Sequence, residues 1–372
     1  MNEQCTMNNV QWRKVKLGEV AKTFTGLTYS PNCIDKSGTL VLRSSNIKDG
    51  QLCFDDNVFV SMDIPERAIV QENDILICVR NGSRNLIGKC ALITKDAVGM
   101  AFGAFMTVLR SNIIDPKLLL YIWQSNSIQK QVANNIGATI NQITNADFNR
   151  FEISYPADLS AQRRIAAILA SADKVIAATQ KTIAKYKQIK QGMMEELLKP
   201  KEGWKMVKLG EVYNFQYGDG NKNPNNNGDY PIYGANGIIG GYTKFNAVDS
   251  VVIGHMGEYA GSVIWANGKH FVTYNGTITT VKDNDSLYDR FGFFVLLNLD
   301  IKKICAGSGQ PFLSYDTLNK IGISVPDLAE QHRIAAILSG IDAKIAAEEK
   351  VLEKYEKVKK GLMERLLDGN LE

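Results

Sequence analysis

The sequence predicts an α+β protein in which two globules of mixed α and β structure are separated by two long antiparallel coiled-coil spacer helices, as a pseudo-twofold internal repeat. Three observations predict it. WRKVKLGEV at Trp12–Val20 returns, with two changes, as WKMVKLGEV at Trp204–Val212. The segment AQRRIAAILASADKVIAATQKTIAKYKQIKQGMMEELL at 161–198 returns as EQHRIAAILSGIDAKIAAEEKVLEKYEKVKKGLMERLL at 330–367, with about half of the positions identical. Between the copies lie unlike stretches of short Val-, Ile-, Phe- and Tyr-rich runs broken by Asn-Gly and Asp-Gly turns. The length of 372 residues, at roughly 100–200 residues per domain, fits this plan. The expected segments are a first globule at 1–157, a first helix at 158–200, a second globule at 201–325 and a second helix at 326–372.

In the first globule, strands are expected at Leu40–Leu42, Asp74–Val79, Cys90–Thr94 and Phe105–Leu109, with turns at Asp49-Gly50 and Asn81-Gly82. A helical segment at Pro116–Ile136, a small polar loop GATINQIT and a closing strand before Pro156 follow. The second globule repeats that order: strands at Ser250–Ile253, Ser262–Trp265 and Thr277–Val281, turns at Asn267-Gly268 and Asn275-Gly276, a helical segment at Tyr288–Ile304, the loop GSGQPFLS, and a strand before Pro326.

The long repeat is rich in Ala, Lys, Glu, Leu and Gln and has no internal proline. Its apolar stripe, Ile165, Leu169, Ala172, Ile176, Thr179, Ile183, Tyr186, Met193, Leu197 in one copy and Ile334, Leu338, Ile341, Ile345, Glu348, Leu352, Tyr355, Leu362, Leu366 in the other, has a period near 3.5. Each seam needs a partner, and antiparallel pairing of the two helices buries both. Docking of each seam on its own globule, or self-association, would also bury it. A helix of about 40 residues is roughly 60 Å long, which suits a spacer. Asp327 with Glu330 reads as a capping box. Gly192 and Gly361 recur at equivalent places, where close backbone approach or a bend is expected.

The composition, 45% hydrophobic and 22% charged, excludes global disorder. No apolar run reaches the roughly 20 residues of a membrane span, and the first residues, MNEQCTMNNVQWRKVK, lack the apolar stretch of a signal peptide, so no membrane association and a cytoplasmic location are expected. The six cysteines form no CxxC pair, and the three histidines are not spaced as metal ligands. No (N/D)PP(Y/F) adenine-methyltransferase motif, no GxxxxGK(S/T) phosphate loop and no triad setting for a histidine occurs, so no catalytic residue, metal or bound cofactor is expected.

The paired KYKQIKQGMMEELL and KYEKVKKGLMERLL helices, the AQRRIAAIL and EQHRIAAIL helix starts after a proline, and the two VKLGEV segments together resemble the specificity subunit of type I restriction-modification enzymes, over essentially the whole chain. The resemblance implies two target-recognition domains, each reading one half of a bipartite double-stranded DNA target, held apart by the helices. It implies two methyltransferase subunits that modify adenine with S-adenosylmethionine, restriction subunits that translocate and cut, and no catalysis by this chain. Two other readings remain: the recognition subunit of a bipartite system whose partner fuses methylation and cleavage, and a coiled-coil scaffold for two protein ligands.

Bases are read by Arg, Lys, Asn, Gln, Ser and Thr, and phosphates are held by Lys, Arg and small polar groups. In the first globule LRSSNIKDG offers Arg43, Ser44, Asn46 and Lys48; VRNGSRN offers Arg80, Asn81, Ser83, Arg84 and Asn85; GATINQIT offers Thr139, Asn141, Gln142 and Thr144. Asn81-Gly82 would otherwise be only a turn and Arg43 a surface cation. The second globule offers Tyr217, Asn221, Lys222, Tyr233, Asn236, His255, Tyr259, Ser308 and Gln310 in polar or glycine-rich loops, with Asn223 and Ser314 beside them. GHMGEYAG occupies the place of VRNGSRN, and His255 is either a reader or a buried structural residue. The net charge of +4 divides as +1, +5, −1 and −1 among 1–160, 161–200, 201–329 and 330–372. The nearly neutral globules suggest that tight DNA binding needs the methyltransferase partners.

Overall fold

The computed structural model describes residues 10–136, 141–220, 223–305 and 311–367. The chain forms two compact units, Met1–Thr179 with Val351–Glu372, and Gln180–Lys350, so each long helix belongs in part to both.

In the first unit Trp12–Lys16 pairs antiparallel with Glu152–Pro156. An antiparallel sheet follows in the order Lys22–Thr25, Met106–Arg110, Ile75–Cys78, Cys90–Leu92. Ile75–Cys78 is buried throughout, which its unbroken apolar sequence ILIC requires. A three-stranded sheet of Val58–Val60, Ile34–Leu42 and Ala101–Phe102 lies in the same unit. The helical segment expected over Pro116–Ile136 is two helices, Pro116–Gln124 and Asn126–Asn135. Ser125 makes the break: its hydroxyl donates to the Ile122 carbonyl at 2.7 Å and accepts from the Ile128 amide, ending one helix and capping the next. The core gathers around Trp123, which stacks on Phe148 at 5.0 Å and donates from Nε1 to the Gly88 carbonyl at 2.8 Å. Ile165 and Leu169 of the helix Leu159–Leu197 join it, as do Leu366 and Leu367 of the helix Leu328–Leu367. Asp173 ties the two helices together here, accepting from Lys359 at 2.6 Å and from the Tyr121 hydroxyl at 2.7 Å.

In the second unit Lys205–Lys208 pairs with Gly322–Val325. A six-stranded sheet runs Tyr213–Tyr217, Gly276–Val281, Ala247–Gly254, Val263–Val272, Tyr230–Gly234, Gly237–Tyr242. Phe291, Phe294 and Leu296 of the helix Asp289–Asn298 share a core with Met194 and Leu198 of one long helix and Ile334 and Leu338 of the other. The ion pairs Lys187–Glu349 at 2.8 Å and Lys190–Asp342 at 2.6 Å show the helices antiparallel in this unit, since the numbering rises on one as it falls on the other.

The repeat extends to buried polar detail. Gln162 and Gln331 are both 1% exposed at the start of a long helix. Gln162 donates to the Pro156 carbonyl (2.9 Å) and accepts from the Asp115 amide (2.7 Å). Gln331 donates to the Pro326 carbonyl (2.9 Å) and accepts from the Tyr288 amide (2.7 Å). Gly18 and Gly210, inside the two VKLGEV copies, lie so close to Asn149 and Asn319 that a Cβ would approach the side-chain oxygen to 2.6 Å in each case.

Three expectations are corrected. Nothing lies within 4 Å of where a Cβ would stand at Gly192 or Gly361, so neither marks a close approach, and both long helices run unbroken through their glycine. Asn267-Gly268 is not a strand end. It lies within Val263–Val272, opposite a register shift between Val248 and Ser250, where Gly268 takes φ 63°. At the second helix start the Glu330 amide donates to Asp327 at 2.9 Å, but the Glu330 carboxylate turns to Arg333, leaving half of the capping box.

Among the described residues no helix is long and apolar enough to cross a membrane, and no group of three or more His, Cys, Asp or Glu side chains could hold a metal. Cys78 and Cys90 are buried, and burial pushes the Cys90 thiol up to about 12 and raises that of Cys78. The thiolate is the reactive form, so iodoacetamide at mildly alkaline pH should label Cys33 and Cys53 in the folded protein and reach Cys78 and Cys90 only after denaturation. Mass mapping that finds Cys90 labelled as early as Cys53 would contradict this packing.

Candidate nucleic-acid interface

Hydrogen bonds join described parts of the loops singled out in the first unit, Asn81 to Ser44 and Asn141 to Gly82, and ring stacking joins Tyr217, His255 and Tyr315 in the second. The backbone scaffolding of these loops is the same in both units. The Val79 amide donates to the Phe105 carbonyl and the His255 amide to the Asn275 carbonyl, each at 3.0 Å. The Ile143 amide donates to the Val79 carbonyl and the Leu313 amide to the His255 carbonyl, each at 2.9 Å. Those bonds set up two isolated antiparallel bridges, Arg80↔Gln142 and Met256↔Phe312. Leu27↔Gly103 and Asp219↔Thr273 are the matching parallel bridges beside them. Gly26 and Gly218 precede those, and a Cβ at either would meet a carbonyl oxygen at 2.2–2.3 Å, so only glycine fits.

Much of the polar chemistry in the first unit is consumed by this scaffold. Asn46 is fully buried and saturated: Oδ1 accepts from the Arg43 amide at 2.9 Å, and Nδ2 lies 3.0 Å from the Cys53 carbonyl, 3.2 Å from the Asp56 carbonyl and 3.1 Å from Asn57 Oδ1. It shapes the 43–57 loop, with its side chain buried and its hydrogen bonds made within the protein. The Arg43 guanidinium is held by Asp56 at 2.8 Å. Ser44 accepts from Asn81 at 3.3 Å, while Asn81 Oδ1 accepts from the Ser83 amide at 3.0 Å. Arg84 reaches back to the Ala133 carbonyl at 3.0 Å, near the end of the helix Asn126–Asn135, and Asn141 donates to the Gly82 carbonyl at 3.3 Å. Thr144 caps the helix Asn145–Arg150 and donates to Asp147 at 2.6 Å. Lys48, Ser83 and Asn85 are exposed, Lys48 on the hairpin whose Asp49-Gly50 turn has both residues at positive φ. Thr139 lies outside the described residues.

Arg80 is exposed, and its guanidinium sits over the Phe105 ring, 5.1 Å from the centroid, with no hydrogen-bond partner among the described residues. Phe105 is itself 56% exposed. Across the bridge the Gln142 carboxamide likewise has no hydrogen-bond partner among the described residues. Sequence reasoning missed Phe105, because an apolar residue at a strand start reads as core.

The second unit puts an aromatic cluster at the equivalent place. Tyr217 is stacked between Tyr315 at 4.0 Å and His255 at 4.3 Å, and its amide donates to the Tyr315 hydroxyl. Tyr274 and Phe312 close on His255 at 5.2 and 5.6 Å. His255 is fully buried, and neither ring nitrogen has a hydrogen-bond partner among the described residues. Burial lowers its pKa, keeping the ring neutral. It therefore presents no edge to solvent in this structure and serves as the floor of the cluster. Tyr233 is also a core residue, 8% exposed, and its carbonyl accepts from the Thr273 amide at 3.0 Å. Asn236 is exposed at the tip of the hairpin Tyr230–Gly234/Gly237–Tyr242, and Tyr259 is 44% exposed. Asn223 is tied into its own loop through the Asn225 amide, and Ser314 caps the helix Tyr315–Lys320. Asn221, Lys222, Ser308 and Gln310 lie outside the described residues. Met256 and Phe312 were missed by sequence reasoning, since only the bridge aligns them with Arg80 and Gln142.

A family model described as the type I restriction modification DNA specificity domain matches residues 9–189 and 201–357. The type I restriction enzyme MjaVIII specificity subunit of Methanocaldococcus jannaschii is 25% identical over 363 residues, covering 82% of this chain and 80% of that protein. The putative MjaX specificity subunit of the same organism is 26% identical over 407 residues, covering 97% and 93%. The crystal structure of the type I restriction-modification system S subunit from M. genitalium is similar in fold, with a TM-score of 0.64 at 20% identity over 97% of each chain.

Proposed function

Because the chain belongs to the type I restriction modification DNA specificity family, we propose that it is the sequence-recognition subunit of such a system, reading a bipartite DNA target with one half-site per unit. The observation that carries the two-half-site reading is the paired construction itself: one backbone scaffold built twice, with different side chains mounted at its exposed end. A repeat that read the same bases twice would have no reason to differ there.

The long helices act as an antiparallel coiled-coil spacer that sets the distance between half-sites, and their remaining exposed faces receive two methyltransferase subunits. Those partners carry S-adenosylmethionine and transfer its methyl group to adenine; restriction subunits join for cleavage. This chain binds and orients and does no covalent chemistry. Its exposed cations Arg80 and Lys48 supply local contacts, while the near-neutral globules leave the general attraction for DNA to the partners.

Exchanging residues 201–325 for the corresponding segment of another family member should change one half of the methylated motif and leave the other half and the adenine chemistry intact. Methylome sequencing of cells carrying the exchanged subunit with its methyltransferase reads this directly. Alteration of both halves, or absence of any bipartite motif with the wild-type chain, would refute the assignment.

A further inference from the structure

The geometry points to the two equivalent bridges as the specificity-determining pairs of their half-sites, Arg80 with Gln142 reading by hydrogen bonds and Met256 with Phe312 reading by apolar contact. This rests on the DNA-recognition reading above and adds the base chemistry of each half.

Directly opposed residues on an antiparallel bridge have Cβ atoms about 4.5–5.5 Å apart, so Arg80 and Gln142 stand side by side. Several of their polar neighbours have hydrogen bonds elsewhere: Arg43 to Asp56, one Arg84 donor to the Ala133 carbonyl, Asn81 to Ser44, Asn141 to Gly82. Arg80 and Gln142 keep every side-chain donor and acceptor unspent among the described residues, and the Phe105 ring under Arg80 limits the conformations the guanidinium must lose on binding. A guanidinium pairs bidentately with guanine O6 and N7, and a carboxamide with adenine N6 and N7. The first unit's half-site therefore contains a guanine read by Arg80 and an adenine close to it read by Gln142.

The same two positions in the second unit are Met256 and Phe312, a thioether and a phenyl ring, the latter 39% exposed. Neither can donate a hydrogen bond, and burial removes His255 behind them. The base feature that such a pair can distinguish in the major groove is the thymine C5 methyl. The second half-site therefore contains a thymine read through its methyl group.

The test uses the full complex with its methyltransferase partners, on duplexes carrying the motif found by methylome mapping, with half-sites assigned by the exchange of residues 201–325. Replacing the first-half guanine by 7-deazaguanine, which lacks the N7 acceptor, should weaken wild-type binding about tenfold or more and leave Arg80→Ala binding unchanged. 7-Deazaadenine should behave likewise with Gln142→Ala. Uracil in place of the second-half thymine, lacking only the methyl, should weaken the wild type several-fold and Met256→Ala less. These base analogues need no substitution in the protein, so no folding defect can mimic the wild-type result. A bipartite motif with no guanine in the first half, or equal sensitivity of wild type and Arg80→Ala to 7-deazaguanine, overturns the Arg80–Gln142 assignment while leaving the recognition reading standing. Equal binding of thymine and uracil duplexes overturns the Met256–Phe312 assignment. Absence of any bipartite motif overturns the recognition reading itself.

Discussion

Replacing Arg110 by alanine is expected to destabilise the first unit by about 3–5 kcal/mol, because it leaves a buried carboxylate without its counterion. The Asp74 side chain is 1% exposed and receives Arg110 Nε at 2.6 Å and Nη2 at 2.8 Å, with the Gln71 amide at 2.8 Å as its remaining donor. The guanidinium also lies 4.5 Å from the Phe24 ring centroid. Lysine at this position keeps the charge but loses the fork, so Arg110→Lys should recover only part of the loss. The double variant Asp74→Leu/Arg110→Met, which removes both charges, should lose less than Arg110→Ala alone. Urea unfolding of the purified chain measures all three. A loss below about 1 kcal/mol for Arg110→Ala would mean that the pair behaves as an exposed surface pair.

Gln331→Ala is expected to cost the second unit about 2–4 kcal/mol, since it strands several buried backbone groups at once. The Tyr288 amide loses its acceptor, and the Pro326 and Ser286 carbonyls lose the donor that now reaches them at 2.9 and 3.2 Å. Gln162→Ala should strand the Asp115 amide and Pro156 carbonyl in the same way in the first unit. The two substitutions should therefore lower different unfolding transitions in calorimetry, each that of its own unit. Faster hydrogen exchange at the Tyr288 amide in Gln331→Ala, with Asp115 unaffected, would localise the effect. Coincident shifts of both transitions by either variant would contradict the separation into units.

Most of the architecture is legible in the sequence because its signals are local. Heptad spacing marks the helices from Leu159 and Leu328, the run Ile75–Cys78 reads as a buried strand, and the proline-preceded AQRRIAAIL and EQHRIAAIL segments mark where the helices begin. The break at Ser125 was less legible, since a serine inside a helical pattern signals a cap only when its hydroxyl finds the Ile122 carbonyl. Gly192 and Gly361 misled for a similar reason: recurrence of a glycine says that the position is shared, not that another backbone lies against it.

The candidate interface divides along the same line. By itself the sequence determined the double repeat and the two long helices, because repetition and periodicity survive without knowledge of neighbours. Only the tertiary structure decided which polar side chains of the candidate interface remain available. Asn46 is saturated by residues up to 11 positions away, one donor of the exposed Arg84 is taken by a carbonyl 49 positions away, and His255 is covered by Tyr217, Tyr274 and Phe312. A hydrogen-bonding group is free or spent according to partners brought together by folding. That is why Arg80 and Gln142 are the residues proposed as readers, and why their counterparts Met256 and Phe312 were invisible until one bridge aligned them.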